Sequence, residues 1–332
     1  MRILVIGGSS FVGRHIVQHA LDRGHEVTLF NRGQTDPGAF PAAEHLTGDR
    51  NSDLSALDGR SWDATVDVCA YVPRQVRTLL ETLGTRGGHY TFISTVSVYG
   101  DVVARPQGDS AVEQGFDEAG APLLEPAWDD ELEMEKYGQL KVACEQVARE
   151  LAGDRLLVVR PGYVIGPHDP THRFTYWVER VADGRSPMAG PDAEQPLQGV
   201  DARDLGAFTV SQVERGAVDT FHVTAPEPAP TFAEWLQRIA DAEGVPLPEV
   251  QWVGPQPGLP LAAPKEFWPT MRAGLTHARS AGFTWRPIED TVRDTLTWVR
   301  SARAAGTYVP RPGVGLTPQA EADLLAAAAA GS

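Results

Sequence analysis

Tyr137 and Lys141 stand four residues apart in Tyr137-Gly-Gln-Leu-Lys141, within a segment that reads as helix. That spacing puts both side chains on one helical face. A lysine beside a phenol favours the phenolate and lowers a pKa that is ordinarily about 10. Such a phenol can move a proton to or from a substrate oxygen while hydride passes at the neighbouring carbon. The second signal opens the chain. Ile3-Leu-Val-Ile-Gly-Gly-Ser-Ser-Phe-Val-Gly13 is an apolar run followed by a glycine-rich turn. Glycines let such a turn approach a pyrophosphate closely, and the N-terminus of the following helix faces the phosphates. Gly7, Gly8, Ser9, Ser10, Phe11, Val12 and Gly13 are therefore candidate cofactor contacts. Ser10 replaces a middle glycine and brings a hydroxyl that can reach a phosphate.

The elements that must position these groups alternate along the first half. Ile3–Gly7, Glu26–Phe30, Glu44–Thr47, Ala64–Val68, His89–Ser94 and Leu156–Arg160 read as strands, and Val12–Gly24, Arg74–Leu83 and Tyr137–Leu151 as helices. Continuous Val/Ile/Leu strands separated by helices predict a doubly wound α/β fold, a parallel sheet covered on both faces. Residues 166–198 are rich in Pro, Gly, His and aromatics and read as loops around a site. Gly199–Asp204 and Thr220–Val223 read as short strands returning to the first layer. Thr231 with Glu234 three residues on is a capping-box signature for a helix to Gly244. Ile288–Ala304 and the segment after Thr317-Pro318 read as further helices. The expected division is residues 1–165 plus 195–225 for the nucleotide and 166–194 plus 226–332 as a smaller substrate domain.

Composition narrows the classes. At 332 residues and a formal charge of −15, the chain has room for a real core and lacks the basic balance of a nucleic-acid binder. The sequence contains no run of 18 apolar residues, so no membrane span is expected. Two cysteines, Cys69 and Cys144, and an N-terminus that enters a strand directly suit a reducing cytoplasm. They make no metal-type spacing, and no metal is expected. Neither H-E-x-x-H nor G-x-S-x-G occurs, which removes the common zinc-hydrolase and acyl-transfer readings.

Cofactor preference turns on the end of the second strand, where NAD enzymes usually place an acid for the ribose 2′-hydroxyl. Phe30-Asn31-Arg32 carries none. Arg32 either pairs with a 2′-phosphate, favouring NADP with NAD as the alternative, or is an exposed arginine. Asp49 can hold the adenine amino group, and Cys69 follows the fourth strand, where packing is its simplest role.

Together the glycine turn, the Tyr137–Lys141 couple and Phe92-Ile-Ser-Thr-Val-Ser-Val-Tyr-Gly100 resemble the extended short-chain dehydrogenases/reductases, of the NAD-dependent epimerase/dehydratase superfamily. The resemblance covers about residues 1–300 and implies a Rossmann domain. It also implies that Thr95 hydrogen-bonds the reacting oxygen, that Tyr137 is the acid/base and that Lys141 holds the ribose and tunes the phenol. Ala70, Ser94, Pro161 and Gly162 join the implied cofactor contacts, and Tyr163, His168, Arg173 and Trp177 the candidate substrate contacts. His168 is either a second acid/base or a plain loop residue. Sugar dehydratases of the superfamily carry Asp-Glu after the active threonine; Val96-Ser97 stands here, which removes the acid and base of dehydration. The segment after the sixth strand also lacks the Asn common in nucleotide-sugar enzymes. The implied activity is that of a ketoreductase or alcohol dehydrogenase on a polar, possibly sugar-like small molecule. A sugar epimerase is the alternative, and a non-catalytic RNA-binding or regulatory protein on the same fold is the alternative of another class. Extended members commonly dimerise through the helices after the fourth and fifth strands. Cys144, Val147 and Leu151 supply apolar positions for such a homodimer.

Overall fold

The computed structural model describes residues 1–100, 116–118 and 120–331. Its first half runs β1 (Arg2–Ile6), α1 (Phe11–Asp22), β2 (Glu26–Asn31), β3 (Glu44–Thr47), β4 (Ala64–Asp67), α2 (Pro73–Leu83), β5 (His89–Ile93), α3 (Tyr137–Ala152) and β6 (Leu156–Pro161). There follow β7 (Tyr163–Ile165), α4 (Arg173–Asp183), β8 (Met188–Gly190), β9 (Gly199–Asp201), α5 (Ala202–Arg215) and β10 (Asp219–Val223). The last part contains α6 (Phe232–Glu243), β11 (Val250–Trp252), α7 (Thr276–Ser280), α8 (Ile288–Ala304) and α9 (Pro318–Gly331).

Seven strands form one sheet in the order β10-β6-β5-β4-β1-β2-β3, and each neighbouring pair is parallel. Strand β1 shows why. Ile3 to Ile6 are all buried and alternate between two cores. Ile3 and Val5 pack with Ile16, Val17 and Leu205 from α1 and α5; Leu4 and Ile6 pack with Val76, Leu79 and Val147 from α2 and α3. The strand order reverses between β1 and β4, which opens a crevice at their C-terminal ends, the usual ligand position in doubly wound sheets. A third core, built on Phe174, Trp177, Phe232, Trp235 and Leu296, holds α4, α6 and α8 together beyond that edge.

Two stretches depart from the sequence reading. Residues 166–198 were expected as loops, yet they contain α4 and β8. Phe174, Trp177, Val178 and Val181 give α4 a buried helical stripe, which the flanking Pro, Gly and His residues obscure in the sequence. Gly199–Asp204 was expected as a strand of the main layer. Instead β9 stops at Asp201, whose carboxylate accepts the Arg203 amide at 2.8 Å and caps α5, and β9 pairs with β7 outside the main sheet. Thr220–Val223 does return to the sheet, within β10. The capping box holds, with the Glu234 amide donating to Thr231 Oγ1 at 3.2 Å and the Thr231 amide donating to Glu234 at 2.8 Å.

The apolar face assigned to a homodimer is also corrected. Cys144 and Val147 are buried against the chain's own sheet, because α3 turns them inward with Ala148. The outer sides of α2 and α3 instead carry an Arg77–Glu150 ion pair at 3.0 Å. Among the described residues, no helix is long and apolar enough to cross a membrane.

Candidate active site

Strand β1 ends in the glycine turn. Gly7 has φ +105°, in the left-handed region that costs an L side chain most. A Cβ on Gly13 would lie 2.8 Å from both the amide nitrogen and Cα of Gly8, so the first turn of α1 and the loop fit only without one. Ser10 is the extended N-cap residue of α1 and makes no side-chain cap bond. The first amides of α1 therefore keep their donors for an external acceptor, with the positive end of the helix dipole behind them. This is a steric and electrostatic fit for a pyrophosphate.

Around it the expected contacts divide. Asn31 donates from Nδ2 to the Gly7 carbonyl at 3.1 Å and accepts the Gly33 amide at 2.8 Å, so it splints the turn. Arg32 is exposed and has no partner among the described residues. Asp49 spends its carboxylate on the Asn51 amide at 2.9 Å. The Cys69 thiol donates to the Ile6 carbonyl at 3.4 Å, and burial pushes its pKa up, so it packs as a thiol.

Tyr137 opens α3, and Lys141 lies one turn on, fully inside. The Lys141 ammonium donates to the Ala70 carbonyl at 2.9 Å and the Ile93 carbonyl at 2.7 Å, pinning α3 to the strand ends of β4 and β5. It also lies 4.2 Å from the centroid of the Phe92 ring. Burial pushes the Lys141 pKa down. The Tyr137 phenol was expected to be lowered. It is instead pushed up to about 12, chiefly by burial and next by the nearby Tyr71, with a hydrogen bond to Thr95 opposing. The reason is burial: desolvation of the phenolate outweighs the groups around it that would favour the charged form. Thr95 begins a single 3-10 turn, Val96–Val98, where its Oγ1 accepts the Ser97 amide at 3.1 Å and donates to Ser97 Oγ at 3.1 Å.

Beneath these groups lie two buried polar clusters that the sequence did not disclose. Glu145, on the same face of α3 as Lys141, accepts Ser94 Oγ at 2.6 Å and Arg160 Nε at 2.9 Å. Arg160 then donates to the Tyr99 phenol, which meets His222 Nε2 at 2.7 Å. Ser94, expected at the cofactor, thus faces Glu145 with its hydroxyl. On the other side, Arg50 donates two bonds to Asp67, at 2.7 and 2.9 Å, and Tyr90 donates to Asp67 at 3.0 Å. A carboxylate at helical spacing from Lys141 amid Val142, Ala143, Cys144 and Val147 was the available signal for Glu145. None marked Arg50.

The phenol opens onto a cavity of about 300 Å³. Phe11, Val12, Ser94, Thr95, Tyr137, Lys141, Pro161, Gly162, Tyr163 and Arg173 meet there, from segments more than 160 residues apart in all. Tyr71, Thr224, Thr270 and Met271 join them unannounced. Trp177 does not; it is buried in the third core and donates to the Pro260 carbonyl at 2.8 Å. His168 lies away from the cavity against Trp298, ring centroids 5.4 Å apart, with its pKa lowered by burial to about 4. A larger open depression of about 740 Å³, lined by Glu118, Arg149 and His277, shares no residue with the Tyr137 cavity.

A glycine-cradled helix terminus and a Tyr–Lys pair facing one cavity on a parallel sheet define a nicotinamide-dependent enzyme of the dehydrogenase and epimerase kind. The comparisons agree. The model of the NAD-dependent epimerase/dehydratase family matches residues 3–76 and 55–217. A 3-diazoavenalumate denitrifying reductase from a Streptomyces species is 29% identical over 324 residues, 89% of this chain and 99% of that protein. The dTDP-6-deoxy-L-talose 4-dehydrogenase (NAD(P)(+)) of Kitasatospora kifunensis is 27% identical over 334 residues, 92% of this chain and 97% of that one. A Bordetella bronchiseptica enzyme solved in complex with NAD+ has a TM-score of 0.68 at 17% identity, over 90% of this chain and 98% of that one. The chain belongs to the NAD-dependent epimerase/dehydratase family and is an NAD(P)-dependent oxidoreductase or epimerase.

Proposed function

We propose that this enzyme is an NADP-dependent ketoreductase or alcohol dehydrogenase acting on a polar small molecule, with Tyr137 as the proton donor in the reductive direction. The observation that carries this reading is the neutral Tyr137 phenol opening onto the same cavity as Phe11 and Val12 of the glycine turn. A nicotinamide, when bound, would supply the hydride. Tyr137 gives its proton to the carbonyl oxygen as the carbon is reduced, so a carbonyl becomes an alcohol. The Thr95–Ser97 hydroxyl pair lies beside it and orients that oxygen. Lys141 has three donors and uses two on backbone carbonyls, which leaves one for the cofactor's ribose. A phenol that holds its proton at neutral pH suits an acid and delays the reverse, base-requiring direction to higher pH. The preference for NADP rests on Arg32, exposed and without a partner among the described residues beside a strand end that carries no acid.

Fluorescence titration with NADPH and NADH, on the native protein and Arg32→Ala, tests the reading. The expected result is tighter NADPH binding, lost by about tenfold in the variant, and NADPH consumption on addition of carbonyl compounds. Equal affinities unchanged by the substitution remove the NADP preference. A cofactor that stays bound and is never consumed favours the epimerase instead.

A further inference from the structure

The cavity beside Tyr137 is electrostatically one-sided. Among its described lining residues there is no Asp, Glu or His, and there are two cations, Lys141 and Arg173. Lys141 is tied to backbone carbonyls. Arg173 is not. Its Nε donates to Thr171 Oγ1 at 3.1 Å, and among the described residues no carboxylate comes within ion-pair distance of its guanidinium.

The arginine is also held in place from behind. Asp169, with no exposed surface, accepts the Thr171 amide at 2.7 Å and the Thr171 hydroxyl at 2.6 Å. Thr171, so oriented, accepts Arg173 Nε. The guanidinium carbon lies 5.1 Å from the centroid of the Tyr163 ring, a cation–π contact on a second lining residue. Nε is therefore used inside the protein, and the outer two-nitrogen edge is left for a ligand. That edge matches a carboxylate in two parallel bonds. Across the cavity, Thr224 is 1% exposed, and its Oγ1 has no hydrogen-bond partner among the described residues. Gly162 leaves room beside that hydroxyl, since a Cβ there would lie 2.4 Å from it. Tyr71, Val96 and Met271 add apolar surface to a wall that also carries Ser97, Gln198 and Thr270.

We infer that the substrate is a compact organic anion, an oxo acid or its hydroxy acid, whose carboxylate pairs with Arg173 while its carbonyl oxygen meets Tyr137. This rests on the reductase reading above and adds the charge and size of the substrate to it. The size follows from the volume. About 300 Å³ is the low end for a ligand pocket, and the same space would also have to take the reacting end of the cofactor. A compact carboxylate meets that limit better than a nucleotide-linked sugar.

The test uses benzoylformate and 4-oxo-4-phenylbutanoate, each against its methyl ester, with UDP-glucose as the third arm. Binding is measured by calorimetry on the native protein with and without NADP, and reduction by NADPH consumption. At least one acid should exceed its ester by about tenfold or more in affinity or in kcat/KM, the scale of a charge-assisted pair. Arg173→Gln should erase that preference while NADPH binding, which reports the fold, stays intact. Arg173→Lys should restore part of it. Acid and ester bound equally by the native protein, or a preference that survives Arg173→Gln, overturns the assignment. So does Arg173-dependent binding of UDP-glucose without binding of either acid. A protein that consumes NADPH on the esters as readily as on the acids loses this inference and keeps the reductase reading. A protein that binds no NADPH loses that reading, and the titration without cofactor still decides the anion.

Discussion

The proposed nucleotide end and the proposed substrate end of this cavity are built from opposite materials. At the nucleotide end the working parts are backbone amides and absent side chains. Gly13 matters because a Cβ would meet Gly8 at 2.8 Å, and α1 matters because its first amides carry no side-chain cap. At the substrate end the working parts are charged and hydroxyl side chains, several of them locked by a neighbour, as Asp169 locks Thr171 and Thr171 locks Arg173. Tyr137 and Lys141 stand between, with Lys141 pinned to the carbonyls of Ala70 and Ile93. A cradle made of backbone accepts one shared piece of ligand and tolerates little change. A wall made of side chains can be rewritten for a new substrate without disturbing the sheet.

That contrast can be broken from either end. At the nucleotide end, Gly13→Val should be the most damaging single change. Its side chain meets backbone rather than a mobile group, so overpacking of about 1–3 kcal/mol and at least tenfold weaker NADPH binding are expected together. Thermal unfolding and fluorescence titration read the two. A variant with native stability and native affinity would show that the cradle is looser than the Gly8 contact implies. At the substrate end, the Arg173 variants should change preference among ligands and leave the cofactor alone.

A smaller effect concerns the polar layer beneath both ends. His222 is buried between Tyr99 and the Gly274 carbonyl, and desolvation, aided by Arg160, pushes its pKa down to about 3. The unfolded chain takes up a proton near pH 6.5 that the folded chain refuses, so stability is whole above that pH and is lost as pH falls. Between about pH 6.5 and 4.5 the loss should approach 1.4 kcal/mol per pH unit for this histidine. His168, lowered to about 4, adds in the same direction. Chemical denaturation across that window should show falling stability; a flat profile would mean that His222 is protonated in the folded protein.

Much of the nucleotide end was legible in the sequence because its determinants are local. The apolar run of β1, the glycines and the start of α1 occupy a dozen consecutive residues, and Tyr137 and Lys141 share one helical turn. The capping box of α6 and the bounds of α8 were readable for the same reason. The substrate end was legible in part, since Thr95, Tyr163 and Arg173 reach the cavity as expected. Thr224, Thr270 and Met271 reach the cavity from distant parts of the chain, and Trp177 looked like a ligand contact because its helix was hidden among prolines and glycines. The phenol's pKa was not legible because spacing reveals that Lys141 shares a face with Tyr137 but not how deeply the phenol is buried.

Whether Tyr137 donates the proton, as proposed, is decided by Tyr137→Phe. The substitution keeps the ring and removes only the hydroxyl. Turnover and NADPH affinity should be measured on the same preparations, with a substrate that the native enzyme reduces. Turnover should fall by at least about 10²-fold, the low end for a general acid, with NADPH affinity nearly unchanged. Near-native turnover in Tyr137→Phe would contradict it and would move the proton transfer, or the function itself, away from this residue.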